Sequence, residues 1–478
     1  MITFRPNCTL PTTAPGFVAS PDVRSTMSIV WSCLTVIILC TWSILHLNVP
    51  LQFNSKTWQQ KLGRSLYLAS RKAAWMLFTL LVPEFTMGKA LGDLLDARAS
   101  MKEIKAQADE DGVDWTVTHS LFANMGGFAV RFPAPSADVE LGAAETGTTD
   151  NRGENSGESE QSDGTSSTAA LMANHSTFIN RQSNAYKRFG GLDWGLDMTN
   201  LSAVKEVLAE HTDKLDDISL NARPLVGDVW FLNSRQLVQA RSAGIISRLP
   251  AVTEDEINEK SKGDVMIKLL ALVQVCWLIV QLIGRASLGQ ESSQLEVMTL
   301  AYAACSAITY IALFPKPRDI SRPIMVPSAK APTAKDVKEI AEVGSTDLVW
   351  RSFYSIPSAS VPDIAFIGTL VGLIIFSAIH LIAWNFVFPT RSELILWRVA
   401  TLLTVGAPSF MILHGYISKL WESDSVFDTC MGCLAYPPIF LLFPFARIVL
   451  IVEAFRSLYF LSPGAFIATW TTEIPHLA

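Results

Sequence analysis

Six polar side chains in this chain stand inside or at the edge of long apolar runs: Gln281, His380, Asn385, Arg398, Arg447 and Glu453. Ionisable groups in an apolar stretch cost several kcal/mol in lipid, so they face a bundle interior or water. Gln274 is a further mid-run amide. Counted at about 1.5 Å per helical residue, His380, Arg398 and Glu453 fall roughly 6–12 Å below one membrane surface. They are at a common depth, so they could meet. An Arg398–Glu453 pair would offset the desolvation of both charges. His380 would add a group that titrates near neutral pH. Such a cluster could line a cavity that opens outward. The competing reading is interhelical glue, worth about 1 kcal/mol per contact, with Arg398 reaching back to the surface along its own stem.

Six apolar runs must position these groups: Met27–Leu47, Ile267–Ile283, Leu295–Phe314, Ile364–Phe388, Leu394–Ile417 and Leu434–Leu461. A hydrocarbon core of about 30 Å needs about 20 such residues in helix. Lipid offers the backbone no hydrogen bonds, so a continuous apolar run there is helical. Composition agrees: of 478 residues 49% are hydrophobic and 17% charged, against roughly 25% charged in an average soluble protein. The fold class expected is all-α, a polytopic transmembrane bundle of about six spans with a long, partly disordered, partly helical cytosolic loop.

Lysine and arginine orient the spans. Asn48–Lys72 holds five bases and no acid, and Pro315–Asp363 holds seven bases; Gly284–Gln294 has only Arg285. Both basic loops belong in the cytosol, and both termini then face outside or the lumen. A further segment, Ala73–Val82, is short and is stopped by Pro83 and Glu84. It reads as an interfacial or re-entrant helix. A seventh span there would invert the loops that follow.

The regions then run as follows: a luminal or extracellular tail over 1–26, the first span over 27–47, a cytosolic juxtamembrane helical region over 48–132 that includes the interfacial segment 73–82, a disordered acidic linker over 133–170, a cytosolic helical region over 171–266, the remaining bundle over 267–461, and a luminal or extracellular tail over 462–478. The net charge of −6 comes from the linker, where Pro133–Ala170 carries eight acids and one base. Rich in Gly, Ser, Thr and acids, it is expected to be disordered. Asn7-Cys8-Thr9 is a glycosylation sequon on the luminal side; Asn174 and Asn200 match the same pattern but would face the cytosol.

Within the loop, Met87, Leu91, Leu94, Met101, Ile104 and Ala108 recur at helical spacing with Lys89, Arg98, Lys102 and Lys105 beside them. This is either an amphipathic helix on the membrane face or a plain packing helix. Leu201, Val204, Leu208, His211, Leu215 and Ile218 form a second stripe, which makes 199–220 a candidate surface for a protein partner; His211 reads as a packing residue. Thr253 and Glu256 form a capping box. Pro408, Pro437, Pro438 and Pro444 would kink the last spans.

No phosphate loop, Ser-His-Asp order or HExxH is present, and the reading leans against an enzyme. Cys430-Met-Gly-Cys433 has no second pair and no nearby histidine, and the seven cysteines form no disulfide framework. No cofactor or metal is expected, no basic run suggests nucleic acid, and the partner implied is the lipid bilayer of the plasma membrane or an endomembrane.

Several short strings carry a resemblance: Cys8-Thr-Leu-Pro-Thr-Thr-Ala-Pro-Gly16, Trp31-Ser-Cys-Leu34, Thr41-Trp42, His46-Leu-Asn-Val-Pro50, Pro83-Glu84, Thr118-His119, Met125-Gly-Gly-Phe128, Ser261-Lys-Gly-Asp264, Leu295-Glu296 and Lys316-Pro317. With them the chain resembles a group of uncharacterised fungal multi-pass membrane proteins. That resemblance implies a fungal source and carries over no activity. The reading is a small-solute or ion transporter or channel-like protein; the alternatives are a sensor or scaffold acting through the cytosolic loop, and a membrane-embedded enzyme of lipid or secondary metabolism.

Overall fold

A computed structural model describes residues 16–18, 24–50, 57–132, 225–226, 229–261, 265–343, 362–420 and 436–467. The linker 133–170, the stripe 199–220 with His211, the three sequons, Gly263 and the Cys430–Cys433 pair lie outside these residues.

Six helices are long and apolar enough to cross a membrane by length and composition: α1 (Thr26–Ser43), α7 (Val265–Ser287), α8 (Gln294–Ala312), α10 (Pro362–His380), α11 (Arg391–Leu420) and α12 (Tyr436–Arg456). They are the six expected runs. Short 3₁₀ turns extend two of them, over Leu381–Asn385 and Ser457–Phe460. Pro408 and Pro444 stand inside α11 and α12. An apolar core joins α1, α8, α10, α11 and α12 through Ile29, Leu295, Tyr302, Phe376, Trp397 and Leu450.

One end of the bundle brings the segment just before α1 against the segment that follows α12. The Arg24 N–H donates to the Phe466 carbonyl, and Arg285 at the end of α7 donates to the carbonyls of Gly464, Ala465 and Ile467. The Arg24 guanidinium pairs with Glu296 in the first turn of α8, and both are buried. We call this end the terminal face and the other the loop face.

At the loop face the chain departs from an all-α fold. Four short strands, β1 (Phe128–Arg131), β2 (Leu225–Val226), β3 (Val229–Phe231) and β4 (Ile324–Pro327), form a sheet in the order β2-β3-β1-β4. Strand β3 runs antiparallel to β1, with Val130 opposite Trp230; β4 runs parallel to β1, with Val130 opposite Val326. No strand exceeds four residues, too few for alternation to stand out from a helical pattern. Strands β1 and β4 are also almost two hundred residues apart in sequence. Helices α4 (Val117–Asn124), α5 (Ser234–Ser242), α6 (Glu254–Lys260) and α9 (Ala334–Glu342) accompany the sheet. Phe122, Phe128, Trp230, Leu237, Val337 and Ile340 close a core of their own. The capping box at the start of α6 is present: the Glu256 N–H donates to Thr253 Oγ1, and the Thr253 N–H donates to Glu256 Oε2.

Helix α2 (Trp58–Leu81) leads into α3 (Pro83–Asp111), which packs on both the bundle and the sheet domain. Ala73–Val82 is thus the end of a 24-residue helix rather than a separate short one. The chain breaks at Val82, which has φ −141° and ψ 63°, and restarts with Pro83 at the first helical position, where a missing N–H costs nothing. Lys72 sits beside Trp42, 3.8 Å from the ring centroid, and bonds Asp319 at the loop face. Two turns later the Leu80 carbonyl accepts from Tyr302 in the middle of α8. Helix α3 then runs back along α10 to the sheet domain, about 43 Å at 1.5 Å per residue. It is buried on several sides, with Glu84, Gly88, Asp93, Asp96, Ser100, Ile104 and Ala108 all covered. It is the packing helix of the two readings, and not one laid on a membrane surface.

Charge fixes α3 to its surroundings at three levels. Asp93 accepts from Lys89 at 2.7 Å and from Lys316 at 3.0 Å, all three groups buried. Asp96 accepts from Asn124 at 3.0 Å and from Arg235 at 2.9 Å. Asp111 accepts from Arg241 and from the Leu249 N–H. Burial pushes the Asp96 carboxyl up to about 6, outweighing the Arg235 contact that draws it down. A carboxyl raised on folding favours the protonated form, so its contribution to stability is greatest below pH 4 and fades as pH rises through about 6. Asp96→Asn should therefore be neutral or stabilising at pH 7.5 relative to pH 4.5, by about 1–2 kcal/mol. Thermal unfolding at the two values checks it, and a mutant whose pH dependence equals that of wild type would contradict it.

Candidate intramembrane polar site

The middle of the bundle holds a charge pair between Glu84 at the start of α3 and Arg447 in α12, with side-chain exposures of 0% and 1%. Position and spacing bring them there. The Val82 break turns the chain so that Glu84, in the first turn of α3, faces α12 across α10. Small residues permit the approach: a Cβ on Gly372 of α10 would stand 2.7 Å from the Glu84 Cβ.

Phe376, four residues on from Gly372, is the common platform of the site. The Arg447 guanidinium lies 3.8 Å from its ring centroid. His380 stacks on it at 4.4 Å, and Tyr302 meets it edge-on at 5.2 Å. His380 Nδ1 bonds the Phe376 carbonyl at 2.8 Å. A carbonyl only accepts, so Nδ1 carries the proton there, and in the neutral ring Nε2 is left as an acceptor. Four polar groups around this platform are buried without a hydrogen-bond partner among the described residues: Glu84 Oε2, His380 Nε2, and Arg447 Nε and Nη1. Two acceptors and two donors thus share one buried region.

The six side chains singled out in the sequence divide into separate places. His380 and Arg447 share the platform. Arg398 donates to the Trp384 carbonyl and to Asn385 Oδ1, with its guanidinium 4.8 Å from the Trp384 ring centroid. Glu453, buried near the terminal face, has Oε2 without a partner among the described residues. The expected Arg398–Glu453 pair is not made. Arg398 stands about two turns into α11, and its long stem turns to the Trp384 carbonyl and the Asn385 amide oxygen instead. In the same part of the structure Arg456 bonds Glu393 at 2.7 Å. Gln274 and Gln281 are buried along α7.

Glu84 was read from sequence as part of a helix stop. Its partner is 363 residues away, a separation that no local pattern reports. One signal was present. Gly88-Lys-Ala-Leu-Gly92 and Gly368-Thr-Leu-Val-Gly372 are both small-xxx-small patterns, which mark close helix contacts in membranes. They face each other here: a Cβ on Gly368 would stand 2.9 Å from the Gly88 Cα, and one on Gly88 would stand 2.5 Å from the Ala365 carbonyl oxygen.

A family of unknown function, DUF8562, matches residues 2–151 and 238–357, more than half of the chain. The matched residues include Glu84, Gly88, Tyr302 and Glu296, while Gly372, Phe376, His380 and Arg447 follow them. No curated protein and no solved structure matches the chain. The chain, with its six candidate membrane spans, therefore belongs to the family of unknown function DUF8562.

Proposed function

We propose that this multi-pass membrane protein moves a small solute or ion, and that the platform of Glu84, Tyr302, Phe376, His380 and Arg447 is where the passing species is held. The observation that carries the reading is the set of buried donors and acceptors left open around Phe376. An unmet buried polar group costs about 1–3 kcal/mol, and more when charged. In lipid such groups mark pathways and relays. The helical break at Val82 and Pro83 supports the same reading, since interrupted helices near mid-membrane form the sites of many transporters. On this reading α2 and α3 form a re-entrant pair that enters from the loop face and leaves by it.

The basic loops put the loop face in the cytosol and both termini outside or in the lumen. Exposed Trp58, Leu62 and Leu66 on the acid-free α2 suit contact with that inner bilayer surface.

The probe we choose is the proton, because Glu84 and His380 both accept one. The full chain is reconstituted in vesicles that enclose a pH-sensitive dye, and a pH step is imposed with potassium and valinomycin setting the voltage. We expect dissipation at least fivefold faster than in empty vesicles, and loss of most of that excess in His380→Phe. Dissipation equal to that of empty vesicles, or unchanged in His380→Phe, would contradict a proton-conducting site.

A further inference from the structure

A second place in the molecule has the form of a ligand site, and it is separate from the platform. At the terminal face a cavity of about 480 Å³ opens between α7, α8, the 381–387 turn and the 461–465 segment, within the roughly 300–1,000 Å³ of small-molecule sites. Ile283, Val297, Leu300, Ile382 and Phe386 give it apolar walls. Ile283 and Ile382 are more than half exposed, so the walls continue onto the surface that meets lipid.

Its polar part is narrow. Gln294, 1% exposed, lines the cavity and donates from Nε2 to the Val387 carbonyl at 2.9 Å. That bond fixes which end of the amide is which. Oε1 is then a buried acceptor with no partner among the described residues. Of the other polar groups that line it, Glu291 bonds Ser462 and Asn385 accepts from Arg398, while Gln290 and Ser292 are partly exposed at its mouth. Arg24 and Arg285 beside it are engaged too, Arg24 by Glu296 and Arg285 by four backbone carbonyls. Among the described residues no lysine or arginine lines the cavity, so a phosphate head would meet only the charge of Glu291. A neutral hydroxyl fits.

Depth points the same way. Gln294 is the first residue of α8, at head-group level, and Leu300 lies about 9 Å deeper along the helix. We propose that this cavity binds a lipid with a single hydroxyl head and an apolar body, its hydroxyl donating to Gln294 Oε1. Sterols and diacylglycerols share that chemistry.

The test titrates the full chain in nanodiscs with a fluorescent sterol, a fluorescent diacylglycerol, and the acetate ester of the sterol, which lacks the hydroxyl. We expect saturable binding of the sterol or of the diacylglycerol, and the responding arm names the source. Gln294→Leu should weaken the hydroxylated lipid about five- to tenfold, the range of one hydrogen bond, and leave the sterol acetate unchanged. Leu300→Trp, which fills the cavity, should abolish binding. If Leu300→Trp lowers the thermal transition, Gln294→Leu and the acetate decide alone. No saturable binding of either hydroxylated lipid would overturn the proposal. So would an acetate that binds as well as the sterol, or a Gln294→Leu effect equal on both.

Discussion

Gly88→Val should prevent α3 from seating against α10 and cost about 3 kcal/mol or more, and Gly372→Val should do the same. The magnitude follows from what a side chain would meet. At Gly88 a Cβ would be 2.5 Å from the Ala365 carbonyl oxygen and 2.5 Å from the Thr369 nitrogen. At Gly372 it would be 2.7 Å from the Glu84 Cβ and 2.9 Å from the Glu84 Cα. These neighbours are backbone or close to it, so they cannot rotate away, and the helices must separate. Overpacking of a well-fitted interior costs typically about 1–3 kcal/mol, occasionally more, and here two helices must part along their length. Gly63, which has nothing within 4 Å of an added Cβ, is the control. Gly63→Ala should leave stability unchanged or raise it slightly, by removing a flexible residue from a helix. Unfolding of the three variants in the same detergent gives the comparison. Equal stability of Gly88→Val and Gly63→Ala would exclude this helix contact.

The second large effect is at the charge pair. Glu84→Gln or Arg447→Met alone leaves the other charge buried and uncompensated, a loss of about 3–5 kcal/mol. Both together remove the two charges at once. The double variant should be more stable than either single one, because replacing a buried pair by neutral groups of similar volume is often nearly neutral. The non-additivity is the signature of direct contact. Additive losses would mean that the two residues act separately.

Much of the architecture could be read from the residues. The six candidate spans follow from apolar length alone, because lipid leaves the backbone only one way to satisfy itself. The sheet could not be read: β1 and β4 pair across almost two hundred residues, and each is only four residues long. For the site, polarity within an apolar run singled out His380 and Arg447, which do share Phe376, whereas depth grouped His380 with Arg398 and Glu453. It joined Arg398 to Glu453 because it assumed that charges at one depth find each other. The structure instead gives Arg398 the Trp384 carbonyl in the 3₁₀ turn that follows α10. Glu84 was hidden for a different reason. Beside Pro83 a carboxylate looks like an ordinary first-turn acid that suits the helix dipole. Only the facing Gly-xxx-Gly patterns of α3 and α10 disclose that this particular helix start is carried into the bundle.

The proposed function requires that α2 and α3 meet inside the membrane. Cysteine labelling in a background without native cysteines tests it most directly, with single cysteines at Leu81, Lys61 and Glu291 in vesicles of known orientation. A membrane-impermeant maleimide should label Lys61→Cys only from the loop face and Glu291→Cys only from the terminal face, and should leave Leu81→Cys unlabelled from both. Labelling of Leu81→Cys from the loop face as fast as Lys61→Cys would put the helix break at the surface and contradict the account.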